Sequence, residues 1–311
     1  MRTVVWLNLL VTLTASAESR NWGIAKIGAT TTTGIKPVLV AVVDTGVDFT
    51  HPRFRGIVAS GKDMATNGTQ VDVNGHGTHV AGIVVEVAGS SNVEILALKY
   101  FSTTNTGKMN LDYATAAINY AVEHRARVIN YSGGGPIPSF QEYLALRRAQ
   151  NAGVLVVVAA GNNGVDSDDP LRRYYPCAYR LSNIICVAAT DPDDQLLSTS
   201  NYGLHHTDVA APGLEIVSSA PGGGYASMTG TSQATAFVTG VAAALISRNP
   251  RLTPERVKEL VVASVDRIQT LQAKVTSGGR VNMNKTLKLL DKNNEVCTKK
   301  HSYPTEGGKV H

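Results

Sequence analysis

The stretch GVLVVVAAGNNG, residues 153–164, decides the fold of this chain. Its first half, Val154–Ala159, is a nearly continuous apolar run that lacks the alternation of a strand with one wet face. Such a run predicts a strand covered on both faces, as in a parallel sheet between helices. Asn162 follows the run, so its amide is expected at the carboxyl edge of the sheet, where the sites of such sheets form.

The same alternation of elements extends outward in both directions. Further apolar runs predict strands at Pro37–Val43, Val93–Lys99, Ala126–Tyr131 and Ile184–Thr190. Helical spacing occupies Met109–His124, Ser139–Asn151, Ser232–Arg248 and Thr253–Ala263. Strand–helix alternation of this kind predicts an α/β fold, a doubly wound and mainly parallel sheet with helices on both faces.

The two ends of the chain differ from this pattern. Residues 1–17 have a positive start, an apolar centre and an Ala-Ser-Ala exit, which is typical of a cleaved secretory signal; a buried N-terminal strand is the alternative. Residues 18–290 are expected to form one domain, and residues 291–311 a loose polar tail. No later run reaches the roughly 20 apolar residues of a membrane span, so we expect a soluble, exported protein.

Composition excludes several classes of protein. The 311 residues are 43% hydrophobic and 17% charged, which excludes a disordered chain. A net charge of +5, with no Lys/Arg cluster, does not indicate a nucleic-acid partner. Cys177 and Cys186 lie close enough in sequence to bridge a loop, and Cys297 would then have no partner. Neither Cys177 nor Cys186 lies in a motif that would activate a cysteine nucleophile.

Two segments place acidic and imidazole groups where a strand ends or a helix begins. Asp44, in VAVVDTGVDFTHP, follows a strand and could cap a helix, bind a metal or orient a histidine. His76 and His79, in NGHGTHVAGIVVEV, could supply two zinc ligands, although no nearby Cys or Glu completes a set. His76 could also cap the helix, but the flanking glycines favour a functional role, since they allow a close backbone approach.

Two further segments carry an amide and a hydroxyl. Asn162 is either a turn residue before glycine or a donor aimed at a developing oxyanion. Ser232, in GGGYASMTGTSQATAFVTGVAAALIS, is expected at a helix N-terminus, where N–H groups favour negative charge. A plain helix cap is the simpler alternative, and a phosphate-binding loop would need a Lys that this segment lacks.

Together, the motifs DTG, HGTHVAG, AAGN and GTS, in this order and spacing, resemble those of the subtilisin-like serine proteases from about Trp22 to about Leu290. The resemblance implies that Ser232 is the nucleophile and His76 the general base. It implies that Asp44 orients the imidazole, and that Asn162 and the backbone N–H of Ser232 bind the oxyanion. No cofactor is needed for this chemistry.

The resemblance also implies where a polypeptide substrate binds. Ser132, Gly133 and Gly134 are similar to the segment whose backbone pairs with an extended substrate, and residues 103–107 would form the opposite edge. Glycine at 133 and 134 is expected to leave room for that substrate. A plain turn after a strand is the alternative for this segment.

In other places the chain departs from the family. Arg53 stands where members with a strong calcium site often carry Asp, so we predict that this site is absent. The sequence leaves open whether a structural calcium ion binds elsewhere. The segment after Glu18 resembles the start of a mature domain, so we expect either folding without a covalent prodomain or an incomplete gene product. A separate inhibitor or prodomain is a conceivable partner, and the enzyme is expected to be a monomer.

These observations favour a secreted serine endopeptidase. One alternative is a catalytically inactive binding protein on the same fold, because a fold does not guarantee an activity. The other is a metal-dependent phosphohydrolase that uses Asp44 and Asp48, which the missing phosphate-loop Lys disfavours.

Overall fold

The computed structural model describes residues 21–57, 59–66 and 68–300. The predicted signal, residues 1–17, and the end of the predicted tail, residues 301–311, lie outside the described residues. The strands are β1 Val38–Asp44, β2 Ala59–Asp63, β3 Val93–Lys99, β4 Val128–Tyr131, β5 Leu155–Ala159, β6 Ile184–Thr190, β7 Val209–Pro212, β8 Ile216–Ala220, β9 Gly224–Met228, β10 Asp266–Arg267 and β11 Gly279–Arg280. The α-helices are α1 Trp22–Lys26, α2 His76–Ala88, α3 Gly107–Glu123, α4 Phe140–Asn151, α5 Thr231–Arg248, α6 Pro254–Ala263 and α7 Met283–Lys300.

One large sheet runs through the molecule in the order β10-β11-β7-β6-β5-β4-β1-β3-β2. Its neighbours pair in parallel except β10 with β11, and β8 and β9 form a separate antiparallel hairpin. The reversals of strand order between β1, β3 and β4 are those of a doubly wound sheet. The predicted α/β class is therefore confirmed.

The central strands are covered on both faces, as their continuous apolar runs require. In β1, Val40 and Val42 join a core formed with α2 and α5, whereas Ala41 and Val43 join a second core formed with α3 and α4. Successive strand residues point to opposite faces, so both sets must be apolar when both faces are buried.

Helix α5 lies inside the larger of these cores. Almost all of its side chains are buried, including Phe237, and it packs against α2 so closely that a Cβ on Gly240 would lie 2.6 Å from Val87 Cβ. Its buried hydroxyl on Thr239 donates to Asn130 Oδ1 at 2.7 Å, which satisfies a polar group inside the core. The helix is thereby fixed on every side.

The register of the sheet brings three chain segments to one edge. Val43 pairs with Tyr131 across β1 and β4, and Tyr131 pairs with Val158 across β4 and β5. The strands are parallel, so their carboxyl ends lie level with one another. The segments that contain Asp44 and Asn162 leave the sheet at this edge.

The two cysteines that the sequence left unassigned form a disulfide. Cys177 and Cys186 are bonded, with their Cα atoms 5.4 Å apart. The bond ties the loop before β6 to the middle of that strand, on the face covered by α3 and α4.

The prediction of a loose tail after Leu290 is wrong for the residues up to Lys300. Helix α7 continues through this segment. Leu287 and Leu290 pack into the core, and the guanidinium of Arg248 donates to both carboxylate oxygens of Asp291, at 2.9 and 3.0 Å. These long-range contacts stabilise a helix whose buried apolar residues, Met283, Leu287 and Leu290, follow the spacing of one helix face.

Phe237→Ala tests the role of α5 in the core, with Phe140→Ala as the matched control. Phe237 is fully buried, whereas Phe140 is 69% exposed. Removing the buried ring should lower the free energy of unfolding by about 3–5 kcal/mol, and removing the exposed ring by about 0.5 kcal/mol or less. Chemical denaturation in a Ser232→Ala background, which lacks the predicted nucleophile, measures both; equal losses would contradict the packing described.

Candidate active site

Asp44 and His76 are in direct contact at the carboxyl edge of the sheet. Asp44 is the last residue of β1 and is buried, and His76 is the first residue of α2. His76 Nδ1 lies 2.7 Å from Asp44 Oδ1, and the Thr45 N–H donates to the same carboxylate oxygen at 2.8 Å. Because Nδ1 faces the carboxylate, Nε2 is the nitrogen left for another partner. The simpler alternative, that His76 caps α2, is wrong: the cap position is Gly75.

Glycine at position 77 permits this contact. A Cβ there would collide with the Gly46 carbonyl and would lie 3.2 Å from Asp44 Oδ1. The turn after β1 and the first turn of α2 therefore approach more closely than any larger residue allows.

A buried carboxylate that the sequence reasoning missed, Asp72, holds the start of α2. Its oxygens accept hydrogen bonds from the N–H groups of Asn74, Gly75 and Thr78 at 3.0, 2.8 and 2.8 Å. The hydroxyls of Thr45 and Thr78 also donate to it, at 2.9 and 2.7 Å. Asp72 is thus the anionic cap of α2, a favourable position at the positive end of the helix dipole. Its one sequence signal is its place four residues before His76.

The charge around His76 sets its protonation. Burial by itself would lower the pKa of His76, but the Asp44 carboxylate, its hydrogen bond and the charge of Asp72 raise that pKa above the ordinary 6.5. The hydrogen-bond donors to Asp72 described above are neutral, so they bring no positive charge that would offset its effect on the ring. The imidazole is therefore a stronger base than a free histidine.

His79 does not share this role, and zinc binding by His76 and His79 is not supported. His79 Nε2 lies 2.9 Å from the carbonyl of Ile216 and 3.1 Å from that of Ala226, inside the core. Burial, with a smaller contribution from His76, lowers the pKa of His79 to about 4. A neutral His79 therefore ties α2 to the β8–β9 hairpin.

The Asp48 carboxylate has hydrogen-bond partners that Asp44 does not share. Its carboxylate accepts from the N–H and hydroxyl of Thr50 at 3.0 and 2.6 Å, and from the Gly222 N–H at 2.8 Å. Among the described residues, no group of three or more His, Cys, Asp or Glu side chains is arranged to hold a metal ion. Arg53 lies 3.7 Å from the Glu86 carboxylate, and the predicted absence of a calcium site there stays a prediction.

Asn162 is oriented by the residue that begins α5. Its Oδ1 accepts from the backbone N–H and the hydroxyl of Thr231, at 2.9 and 3.0 Å. Both bonds use the amide oxygen, so the Nδ2 donor is left to point away from Thr231. The two bonds hold the Asn162 amide in one orientation.

Ser232 is the second residue of α5 and contacts the segment that follows β4. Its Oγ donates to the carbonyl of Ser132 at 3.3 Å, and Ser132 Oγ donates to the carbonyl of Ser232 at 3.2 Å. The first turn of a helix leaves its N–H groups without acceptors inside the helix, and Ser232 N–H belongs to that turn. In this structure the Ser232 hydroxyl is directed at Ser132 and not at His76.

Gly133 and Gly134 also make room for neighbouring residues of the protein itself. A Cβ on Gly133 would collide with the Tyr100 hydroxyl, and one on Gly134 would collide with the Tyr175 carbonyl and lie 2.7 Å from Tyr174 Cε1. These glycines therefore make room for the protein's own tyrosines, in addition to any substrate.

Behind these tyrosines lies a buried acid, Glu142, in the first turn of α4. It is 1% exposed, and burial raises its pKa to about 7 although hydrogen bonds from Tyr179 and Tyr131 lower it. Burial, with the nearby Glu142, likewise raises the pKa of Tyr174 to about 12. Tyr174 is thus a neutral phenol over a wide range of pH.

Histidine ring NMR on the Ser232→Ala protein tests the electrostatics of the site. His76 should titrate above 6.5, and Asp44→Asn should lower its pKa because the compensating charge is lost. His79 serves as the internal control and should stay neutral down to about pH 4. A His76 that titrates below 6.5 and ignores Asp44→Asn would contradict this account.

Asp72→Asn tests the carboxylate cap. One amide nitrogen would replace an accepting oxygen, so several buried donors would lose their partner, and the free energy of unfolding should fall by about 3 kcal/mol. Asp112→Asn is the control, because its side chain is exposed and pairs only with Lys108; it should cost about 0.5 kcal/mol or less. Denaturant unfolding decides, and a loss at Asp72 no larger than at Asp112 would refute the role.

Comparison with known proteins identifies the family to which this chain belongs. The sequence profile of the Subtilase family matches residues 36–290. The chain is 42% identical over 218 residues to the thermophilic serine proteinase of Bacillus sp. (strain AK1), a match that covers 67% of this chain and 52% of that protein. It is 39% identical over 243 residues to thermitase of Thermoactinomyces vulgaris, covering 74% of this chain and 84% of thermitase.

A solved structure agrees with the sequence matches. The structure of a mutant of the protease domain of PatA superposes with a TM-score of 0.71 at 29% identity, covering 84% of this chain and 97% of that domain. The chain spans about half the length of the Bacillus proteinase, so the two proteins correspond only in that part. The resemblance inferred from four short motifs is confirmed, and the chain belongs to the subtilase family of serine proteases.

Proposed function

We propose that this chain is an exported serine endopeptidase that cleaves peptide bonds through an acyl-enzyme on Ser232. The observation that carries the proposal is the 2.7 Å contact of His76 Nδ1 with the buried Asp44 carboxylate. It is supported by Ser232 in the first turn of α5, which packs against the helix that His76 begins.

In the first half of the reaction, Ser232 Oγ turns from the Ser132 carbonyl toward His76 Nε2. Oγ bonds to the carbonyl carbon of the substrate while its proton passes to His76. The C–N bond then breaks, and His76 returns that proton to the departing amine. Asp44 holds the imidazole in the correct tautomer and stabilises its protonated form without taking the proton.

The negative charge that develops on the carbonyl oxygen is met by two donors. One is Nδ2 of Asn162, whose amide oxygen is held by Thr231. The other is the backbone N–H of Ser232, at the positive end of the α5 dipole. Donors that are fixed before the reaction need no reorganisation when the charge forms.

In the second half of the reaction, water hydrolyses the acyl-enzyme. Water loses a proton to His76 as its oxygen bonds to the acyl carbon, and Ser232 Oγ then leaves with the proton from His76. The alternative of a catalytically inactive binding protein is disfavoured because Asp44, His76, Asn162 and Ser232 all keep the groups that this chemistry uses.

The substrate is an extended polypeptide that lies along Ser132, Gly133 and Gly134, with residues 103–107 as the opposite edge. Export is supported by the signal-like residues 1–17 and by the Cys177–Cys186 disulfide, since such bonds persist in oxidising compartments. No helix among the described residues is long and apolar enough to cross a membrane. A monomeric state, and a separate inhibitor or prodomain, remain part of this proposal.

A fluorophosphonate probe with mapping of the adduct tests the nucleophile. Labelling should occur at Ser232, disappear in Ser232→Ala and persist in Ser182→Ala, a control at an exposed serine on another surface. Protein that neither reacts with the probe nor cleaves peptides would favour the binding-protein alternative.

Asn162→Ala tests the oxyanion donor. In subtilisin, a member of the same family, loss of the corresponding amide costs about 10²–10³-fold in kcat, and a similar loss is expected here. The fall should be in kcat rather than in KM, because the donor acts on charge that exists only in the transition state. Unchanged kcat in folded protein would remove Asn162 from the mechanism.

A further inference from the structure

The ring of Tyr174 lies between two backbone segments of the proposed active site. A Cβ built on Gly134 would lie 2.7 Å from Tyr174 Cε1, and one built on Gly161 would lie 2.9 Å from Tyr174 Cε2 and Cζ. Opposite edges of one ring therefore touch the two segments. The ring spans the gap between them.

This gap adjoins the point at which a substrate would be attacked. On one side, Gly134 comes two residues after Ser132, whose carbonyl accepts from Ser232 Oγ. On the other side, Gly161 directly precedes Asn162, the proposed oxyanion donor. A substrate residue whose carbonyl lies between Ser232 Oγ and Asn162 Nδ2 must project its side chain into the gap between these two segments.

We propose that Tyr174 is the floor of the pocket for that side chain and limits cleavage to bonds that follow a small residue, such as Ala, Gly or Ser. The inference rests on the proposed endopeptidase function and names its substrate class. A phenol ring that already occupies the gap leaves no volume for a second aromatic ring or a long aliphatic chain, because interiors are packed without such spare space.

The ring is held where it is. The next residue, Tyr175, exchanges two backbone hydrogen bonds with Gly135, at 3.0 and 2.8 Å, which fixes the chain on which Tyr174 sits. The ring also lies close to the buried Glu142 and the buried Tyr131. A larger substrate side chain therefore cannot push the ring deeper at low cost.

Peptides that differ only in the residue before the cut bond test the proposal. The unmodified protein should cleave the Ala peptide with a kcat/KM about tenfold or more above those of the Phe, Leu and Lys peptides. Tyr174→Ala should raise kcat/KM for Phe and Leu by about tenfold or more, because the floor is removed. Tyr174→Phe should keep the preference for Ala, since it keeps the ring.

Tyr120→Ala is the matched control, because it removes the same ring from the C-terminal part of α3, where Tyr120 stacks on His124; its preference should equal that of the unmodified protein. The proposal would be overturned if the unmodified protein preferred the Phe, Leu or Lys peptide, and this result does not depend on whether Tyr174→Ala folds. It would also be overturned if Tyr174→Ala reacted with the fluorophosphonate at Ser232 but showed no rise in kcat/KM for the Phe or Leu peptide. Absence of both labelling and cleavage in the unmodified protein would overturn the proposed function itself, and this inference with it.

Discussion

A helix that is buried on every side is the constraint on which this molecule depends. Helix α5 is wrapped by the sheet, by α2 and by the C-terminal helices, so no face of it is free to shift. Burial on all sides favours small or apolar residues, and the buried hydroxyl of Thr239 finds its partner in Asn130. Its N-terminal turn, with Ser232, is therefore held as rigidly as the core. The hydroxyl that we propose as the nucleophile therefore has a support that a loop residue would lack.

The second constraint on the site is electrostatic. Two buried carboxylates act on one imidazole, but they are held differently. Asp44 contacts His76 directly, whereas Asp72 is saturated by neutral donors and acts through its charge and by fixing the first turn of α2. The combination raises the pKa of His76 against the effect of burial. Positioning and basicity thus come from carboxylates in two separate segments, the end of β1 and the residues before α2.

The accuracy of the sequence predictions depended on how local each signal was. β-Branched runs and short motifs are written in consecutive residues, so the strands at the centre of the sheet and the contact of Asp44 with His76 could be anticipated. The role of Asp72 is not evident from the sequence because one of its partners, Thr45, lies 27 residues away and is brought near only by the fold. Helix α7 is absent from the sequence predictions, and part of its support comes from a distant arginine, Arg248. Gly134 was identified, but the neighbour that it accommodates was not.

The close contact of Gly134 with Tyr174 has an evolutionary consequence. A side chain at 134 would strike the Tyr174 ring and also the backbone carbonyl of Tyr175, so a smaller residue at 174 would not by itself permit substitution of that glycine. The tyrosine, in contrast, can be replaced by a smaller residue without a collision. Divergence of this chain toward a different selectivity is therefore expected to occur at position 174 while Gly134 stays unchanged.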